Sequence, residues 1–195
     1  MNWSERWRES SAWLERYLHL LSDGELVLDL GCGVGDDSVE LDSFGCRVVS
    51  LDLDPERVRQ VPVSAAVGRV AGDAVSLPFA DNAFNCVVSS LSLHYFTGED
   101  TRRAFAEVAR VLAPDSWLIC RVNAVGDVNF GYAVGEEVEP SLFRQPEGHL
   151  KRFFNKEMLH RFLDPCFRLE QITPRTILQR GIEKQTLECV ALNRG

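Results

Sequence analysis

Leu28-Asp29-Leu30-Gly31-Cys32-Gly33-Val34-Gly35 is the stretch that decides how this chain folds. It closes an apolar run, Glu25 to Leu30, that reads as a buried strand. It also opens Val34 to Phe44, where Val39, Leu41 and Phe44 alternate with polar residues as on one helix. Glycines at such a strand-to-helix turn allow positive φ and let a ligand approach the backbone closely. The helix start adds unpaired N–H groups.

Four more runs repeat the strand signal: Cys46 to Leu51, Ala66 to Ala71, Phe84 to Ser89, and Ser116 to Val122. Asp54-Pro55-Glu56 supplies an N-cap, a proline at the first helical position and an acidic first turn. Glu99 to Leu112 carries Phe105, Val108, Ala109 and Leu112 at helical spacing. Strands alternating with helices predict a parallel α/β sheet with helices on both faces. Gly72 to Ala83 is too short for a crossover helix and reads as a loop. Asn123 to His149, rich in glycine with acids at Glu136, Glu137 and Glu139, reads as a long irregular insert. Asn155 caps a helix running to Leu163, and Phe167–Thr173 with Gln185–Leu192 predict an antiparallel pair.

The glycine turn has acidic company. Asp52 ends the second strand, 21 positions after Gly31, near the spacing at which an acid meets ribose hydroxyls. Asp73 follows the third strand. A dinucleotide site expects Gly or Ala where Asp36 stands, and Asp36-Asp37 would repel a pyrophosphate. A ligand with ribose and adenine but no phosphate suits these residues better, and S-adenosylmethionine is one.

These motifs resemble those of the class I S-adenosylmethionine-dependent methyltransferases over about residues 25–122. The match runs through the glycine motif, Val49 to Pro55, Gly72 to Phe79, Phe84 to Phe96 and Ala109 to Asp115; Asp115 stands where glycine is usual. More loosely, Asp127 to Tyr132 and Lys151 to Phe154 are similar to small methyltransferases of the tellurite-resistance type. The resemblance implies a Rossmann-like seven-stranded sheet, mostly parallel with an antiparallel last strand. It implies that Asp29 and the backbone of Gly31, Cys32 and Gly33 hold the methionine end, and that Asp52 takes the ribose hydroxyls. Leu53 would lie against the adenine, Asp73 and Ala74 would meet its edge, and Ser89 would lie near the amino group. His94, close to the expected methyl group, is a base or acceptor donor on one reading and a structural histidine on the other.

The 195 residues suit one domain: an N-terminal helix (1–22), a cofactor-binding core (23–122), an insert or lid (123–154), and a C-terminal helix and strand pair (155–195). Trp3, Trp7, Trp13 and Tyr17 on the first helix predict packing against the sheet. Phe130, Tyr132, Phe143 and Arg152 are the expected acceptor contacts. Net charge −8 argues against nucleic acid, no apolar run suits a membrane span, and no export signal opens the chain, so a cytoplasmic protein is expected. The six cysteines, spread singly, read as reduced core thiols, and no metal site is expected. Residues 140–185 carry +4 against −12 elsewhere; a small-molecule acceptor is expected, anionic if these charges line its pocket and not if they are solvated faces. Oligomeric state is not readable here. The expected activity is methyl transfer by in-line displacement. The alternatives are a module that binds S-adenosylmethionine without transfer, and an NAD-dependent oxidoreductase, which Asp36 disfavours.

Overall fold

A computed structural model describes residues 11–62 and 67–195. The glycine motif lies between strand β1 (Leu26–Leu30) and helix α1 (Asp36–Ser43). There follow β2 (Arg47–Asp52), the short α2 (Pro55–Val58), β3 (Val67–Ala71), β4 (Phe84–Ser90), α3 (Gly98–Val111) and β5 (Leu112–Asn123). The insert holds β6 (Glu136–Glu139), β7 (Leu142–Arg144) and β8 (Leu150–Arg152); then come α4 (Lys156–Leu163), β9 (Phe167–Gln179) and β10 (Ile182–Asn193).

Seven strands form the main sheet in the order β3-β2-β1-β4-β5-β10-β9. β1 pairs in parallel with both β2 and β4, and the order reverses there. β10 runs antiparallel to β5 and β9, so it alone opposes the other six. Apolar side chains fill both faces of the sheet. Leu28, Leu118 and Val122 pack with Phe105, Val108 and Leu159 of α3 and α4. Val27, Val48 and Ile119 pack with Trp13, Tyr17 and Leu41 on the other side.

Local chemistry sets the helix starts. Asp54 and Asn155 accept from the Glu56 and Met158 N–H groups, as their sequence positions predict, and Thr97 accepts from Asp100. Two regions differ from expectation. Among the described residues before β1, Ser11–Arg16 and Leu18–Leu20 form 3-10 turns where the expected N-terminal helix would run; Trp3 and Trp7 lie outside the described residues. Residues 123–154 are not irregular: β6, β7 and β8 form a three-stranded antiparallel sheet. Short strands broken by Gly135 and Gly148 carry too little apolar periodicity to announce it.

Candidate functional site

Open parallel sheets bind ligands outside the carboxyl ends of their strands, where the strand order reverses. Here that place lies above β1 and β4. The Gly31 and Cys32 N–H groups donate to the Leu51 carbonyl at 2.7 and 3.0 Å, tying the turn to β2. The Gly33 N–H donates to Asp52 Oδ2 at 2.9 Å, and the Asp54 N–H donates to Oδ1 at 2.9 Å. Gly31 and Gly33 have φ of 75° and 56°. A Cβ at Gly31 would overlap the Ser92 side chain, whereas at Gly33 it would meet open space. Beside them Leu53 is 71% exposed, a large apolar side chain at the rim of the turn.

Beneath the turn lies a polar stack. Asp29 is buried, and its carboxylate accepts from Ser38 Oγ, which also bonds Ser50. Asp29, on β1, is thereby tied to Ser38 of α1 beneath the turn. Burial, then Asp37, pushes its carboxyl above the usual range. Cys32 is likewise pushed up by burial and neighbouring acids. Ser89 is buried too: its hydroxyl donates to the Leu30 carbonyl at 3.0 Å and bonds Ser92 at 2.6 Å. Ser92, which sequence reading missed, has its hydroxyl 2.9 Å from the same carbonyl and backs Gly31. Only its proximity in the fold marks it.

Asp73 is exposed after β3 and caps its own turn, accepting from the Val75 N–H at 3.1 Å, with Ala74 half-buried next to it. His94 is buried 2% exposed, and its ring stacks tilted on Tyr95 at 4.3 Å. Burial holds its imidazole well below the usual range, and Lys184, Lys151 and His149 act in the same direction. That lowered proton affinity makes His94 a weak base. Its carbonyl accepts from the Arg152 N–H at 2.7 Å, which pins β8 to the loop after β4.

The insert's expected contacts divide. Phe130 and Tyr132 are partly exposed. Phe143 is buried, stacking edge-on with Tyr132 and Phe153. The Arg152 guanidinium pairs with Glu139 and lies over Phe162, and Glu139 also accepts from the Gly98 N–H at the start of α3. Phe143 and Arg152 thus build the insert instead of lining an opening. The basic stretch is similarly engaged: Arg144, Arg168, Arg175 and Lys184 pair with Glu136, Glu170, Glu188 and Asp127.

Residues 28–120 match the methyltransferase domain family. They form a class I S-adenosylmethionine-dependent methyltransferase domain. The family's cofactor is S-adenosylmethionine, and the residues of the turn suit it. Open space at Gly33, an apolar rim at Leu53 and acids at Asp52 and Asp73 fit a cationic nucleoside better than a pyrophosphate. The chain is 41% identical over 106 residues to a demethylmenaquinone methyltransferase of Corynebacterium kroppenstedtii, covering 51% of this chain and 43% of that one. It is 32% identical over 127 residues to a probable tRNA methyltransferase 9B of Mus musculus, covering 62% and 27%. The chain spans about half the length, or less, of the curated relatives it matches. In fold it resembles an S-adenosylmethionine-dependent methyltransferase from Methanosarcina mazei, with a TM-score of 0.77 at 24% identity over 91% of this chain and 96% of that one. Among the described residues, no helix is long and apolar enough to cross a membrane, and no cluster of three metal-binding side chains occurs.

Proposed function

We propose that this chain transfers the methyl group of S-adenosylmethionine to a small organic acceptor. The observation that carries the reading is the Asp52 carboxylate bound to the Gly33 N–H, beside an exposed Leu53, at the point where the strand order reverses. In this reading Asp52 holds the ribose hydroxyls and Leu53 covers the adenine. Asp73 and Ala74 meet the adenine edge. The Gly31–Gly33 backbone cradles the methionine end, with Asp29, Ser89 and Ser92 fixing the turn from below.

Bound S-adenosylmethionine supplies a methyl carbon on a sulfonium, which an acceptor lone pair displaces in line while the C–S electron pair stays on sulfur. The chain's task is alignment and exclusion of water. The insert 123–154 serves as wall and lid, with Phe130 and Tyr132 toward the acceptor. His94 serves as a hydrogen-bonding contact; the acceptor's proton passes to solvent. An anionic acceptor is the finer part of the proposal. It rests on Lys151, whose ammonium donates to the Phe130 carbonyl and has no carboxylate within ion-pair distance among the described residues.

A second reading, methylation of tRNA, draws on the relative from Mus musculus and is disfavoured by the charge of −8. Titration calorimetry with S-adenosylmethionine and S-adenosylhomocysteine tests the site. Transfer of labelled methyl to small acceptors and to tRNA tests the activity. Binding without transfer to either class would favour the non-transferring module, and absence of binding would refute the proposal.

A further inference from the structure

Two buried side chains at the ligand end of the sheet carry polar atoms without hydrogen-bond partners. Asn123, the last residue of β5, is 0% exposed, and both its Oδ1 and its Nδ2 are unpaired. His94, in the loop after β4, has its Nδ1 buried and unpaired. β4 and β5 are neighbours, with Ser90 opposite Arg121, so the two residues follow adjacent strand ends.

The surroundings of Asn123 follow from strand alternation. Asn123 lies on the same face as Arg121 and Ile119, and its partner across the ladder is Thr186 of β10. The Thr186 hydroxyl is directed to the Arg175 carbonyl at 3.4 Å. Lys184, two residues before Thr186, shares that face; it pairs with Asp127 and sits over the Phe130 ring at 4.1 Å. The loop leaving Asn123 exposes Val125 and Val128. A buried amide without a partner is a net loss to the fold, so its retention points to a contact that the fold itself does not supply.

We propose that Asn123 determines acceptor specificity, pairing through its carboxamide with a flat molecule that presents a carbonyl beside an N–H, as a cyclic amide does. This inference rests on the methyl-transfer reading of the site. An amide's donor and acceptor lie side by side in one plane, so a ligand with the complementary pair satisfies both at once. A phenol, with one oxygen, satisfies one at a time. His94 Nδ1 then offers a further hydrogen bond from the adjoining strand end.

The test compares the wild type with Asn123→Leu, which keeps the volume and removes both polar atoms; Asn123→Val serves if leucine is too long. Thermal melting is the first readout. Loss of an unsatisfied buried amide raises Tm by about 2–8 °C, whereas loss of a structural asparagine lowers it. The second readout is ligand-observed NMR on protein saturated with S-adenosylhomocysteine, with α-pyridone and phenol as probes. α-Pyridone binds the wild type and weakens by about tenfold or more in the variant, while phenol, which loses one hydrogen bond where α-pyridone loses two, weakens by less and S-adenosylhomocysteine binds both proteins alike. A fall in Tm with both substitutions overturns the proposal. So does an absence of α-pyridone binding to the wild type, or equal binding to the variant. Failure of S-adenosylhomocysteine to bind the wild type instead removes the cofactor reading, and the Tm comparison still reports on Asn123.

Discussion

The carboxylate of Asp52 and the backbone N–H of Gly33, 19 residues apart in sequence, are joined by a hydrogen bond of 2.9 Å. One side chain at the end of β2 thereby holds the turn after β1 and faces the proposed ribose site. Replacing Asp52 with Ala removes both contributions and weakens S-adenosylmethionine binding by about 1–3 kcal/mol, roughly 5- to 150-fold. Calorimetric titration measures it, and an unchanged affinity would remove Asp52 from the site.

Gly31 and Gly33 have similar dihedral angles but different neighbours, so alanine acts differently at each. At Gly31 the new Cβ meets Ser92, and the fold loses about 2–4 kcal/mol. At Gly33 only the positive φ is penalised, about 1 kcal/mol, while cofactor binding drops because the open space is filled. Adding Ser92→Gly to Gly31→Ala restores part of the lost stability in denaturant melts. No restoration would show that the overlap is not what costs.

Asp115, within β5, has a φ of 57°. Aspartate tolerates this left-handed conformation at a cost that glycine avoids. Asp115→Gly therefore raises stability by about 0.5–1 kcal/mol, or about 1–4 °C in Tm at this chain length, with cofactor affinity unaffected.

Burial, followed by Asp37 and Glu15, raises the Glu40 carboxyl to about 7. A carboxyl raised in the fold binds its proton more tightly there than in the unfolded chain. Its ionisation therefore costs stability as pH rises from about 4.5 through 7. Because Glu40 is only part-buried, the expected cost above pH 7 is about 1 kcal/mol. Glu40→Gln melts higher than the wild type at pH 8 and alike at pH 4.5; a constant offset across that range would contradict the assignment.

His94 is held neutral far below its usual range by burial and by nearby cations. His94→Asn lowers methyl transfer through the lost contact but leaves the shape of the rate profile between pH 5.5 and 7.5 unchanged. An acidic limb near pH 6.5 that vanishes in the variant would show His94 acting as the base after all.

Much of the cofactor half is legible in the chain because its signals are local. Apolar runs mark β1 to β5 within a few residues, Asp54 and Asn155 cap the helices their positions announce, and Gly31 and Gly33 mark the turn. The insert was harder to read. Composition cannot show that the Tyr132 and Phe153 rings pack against Phe143, or that the Glu139 carboxylate of β6 pairs with Arg152. Nor can it show which cations of residues 140–185 are paired, as Arg175 and Lys184 are with Glu188 and Asp127.

The sequence by itself determined the alternating architecture, the glycine turn and the acids that follow β2 and β3, because strand runs, caps and turn residues act over a few neighbouring positions. The tertiary structure alone decided which groups meet. It set Ser92 behind Gly31, buried Asp29 against Ser38, paired Lys184 with Asp127, and left the Asn123 amide without a partner. Those outcomes depend on strand register and burial, which join residues far apart in the chain and which no local pattern encodes.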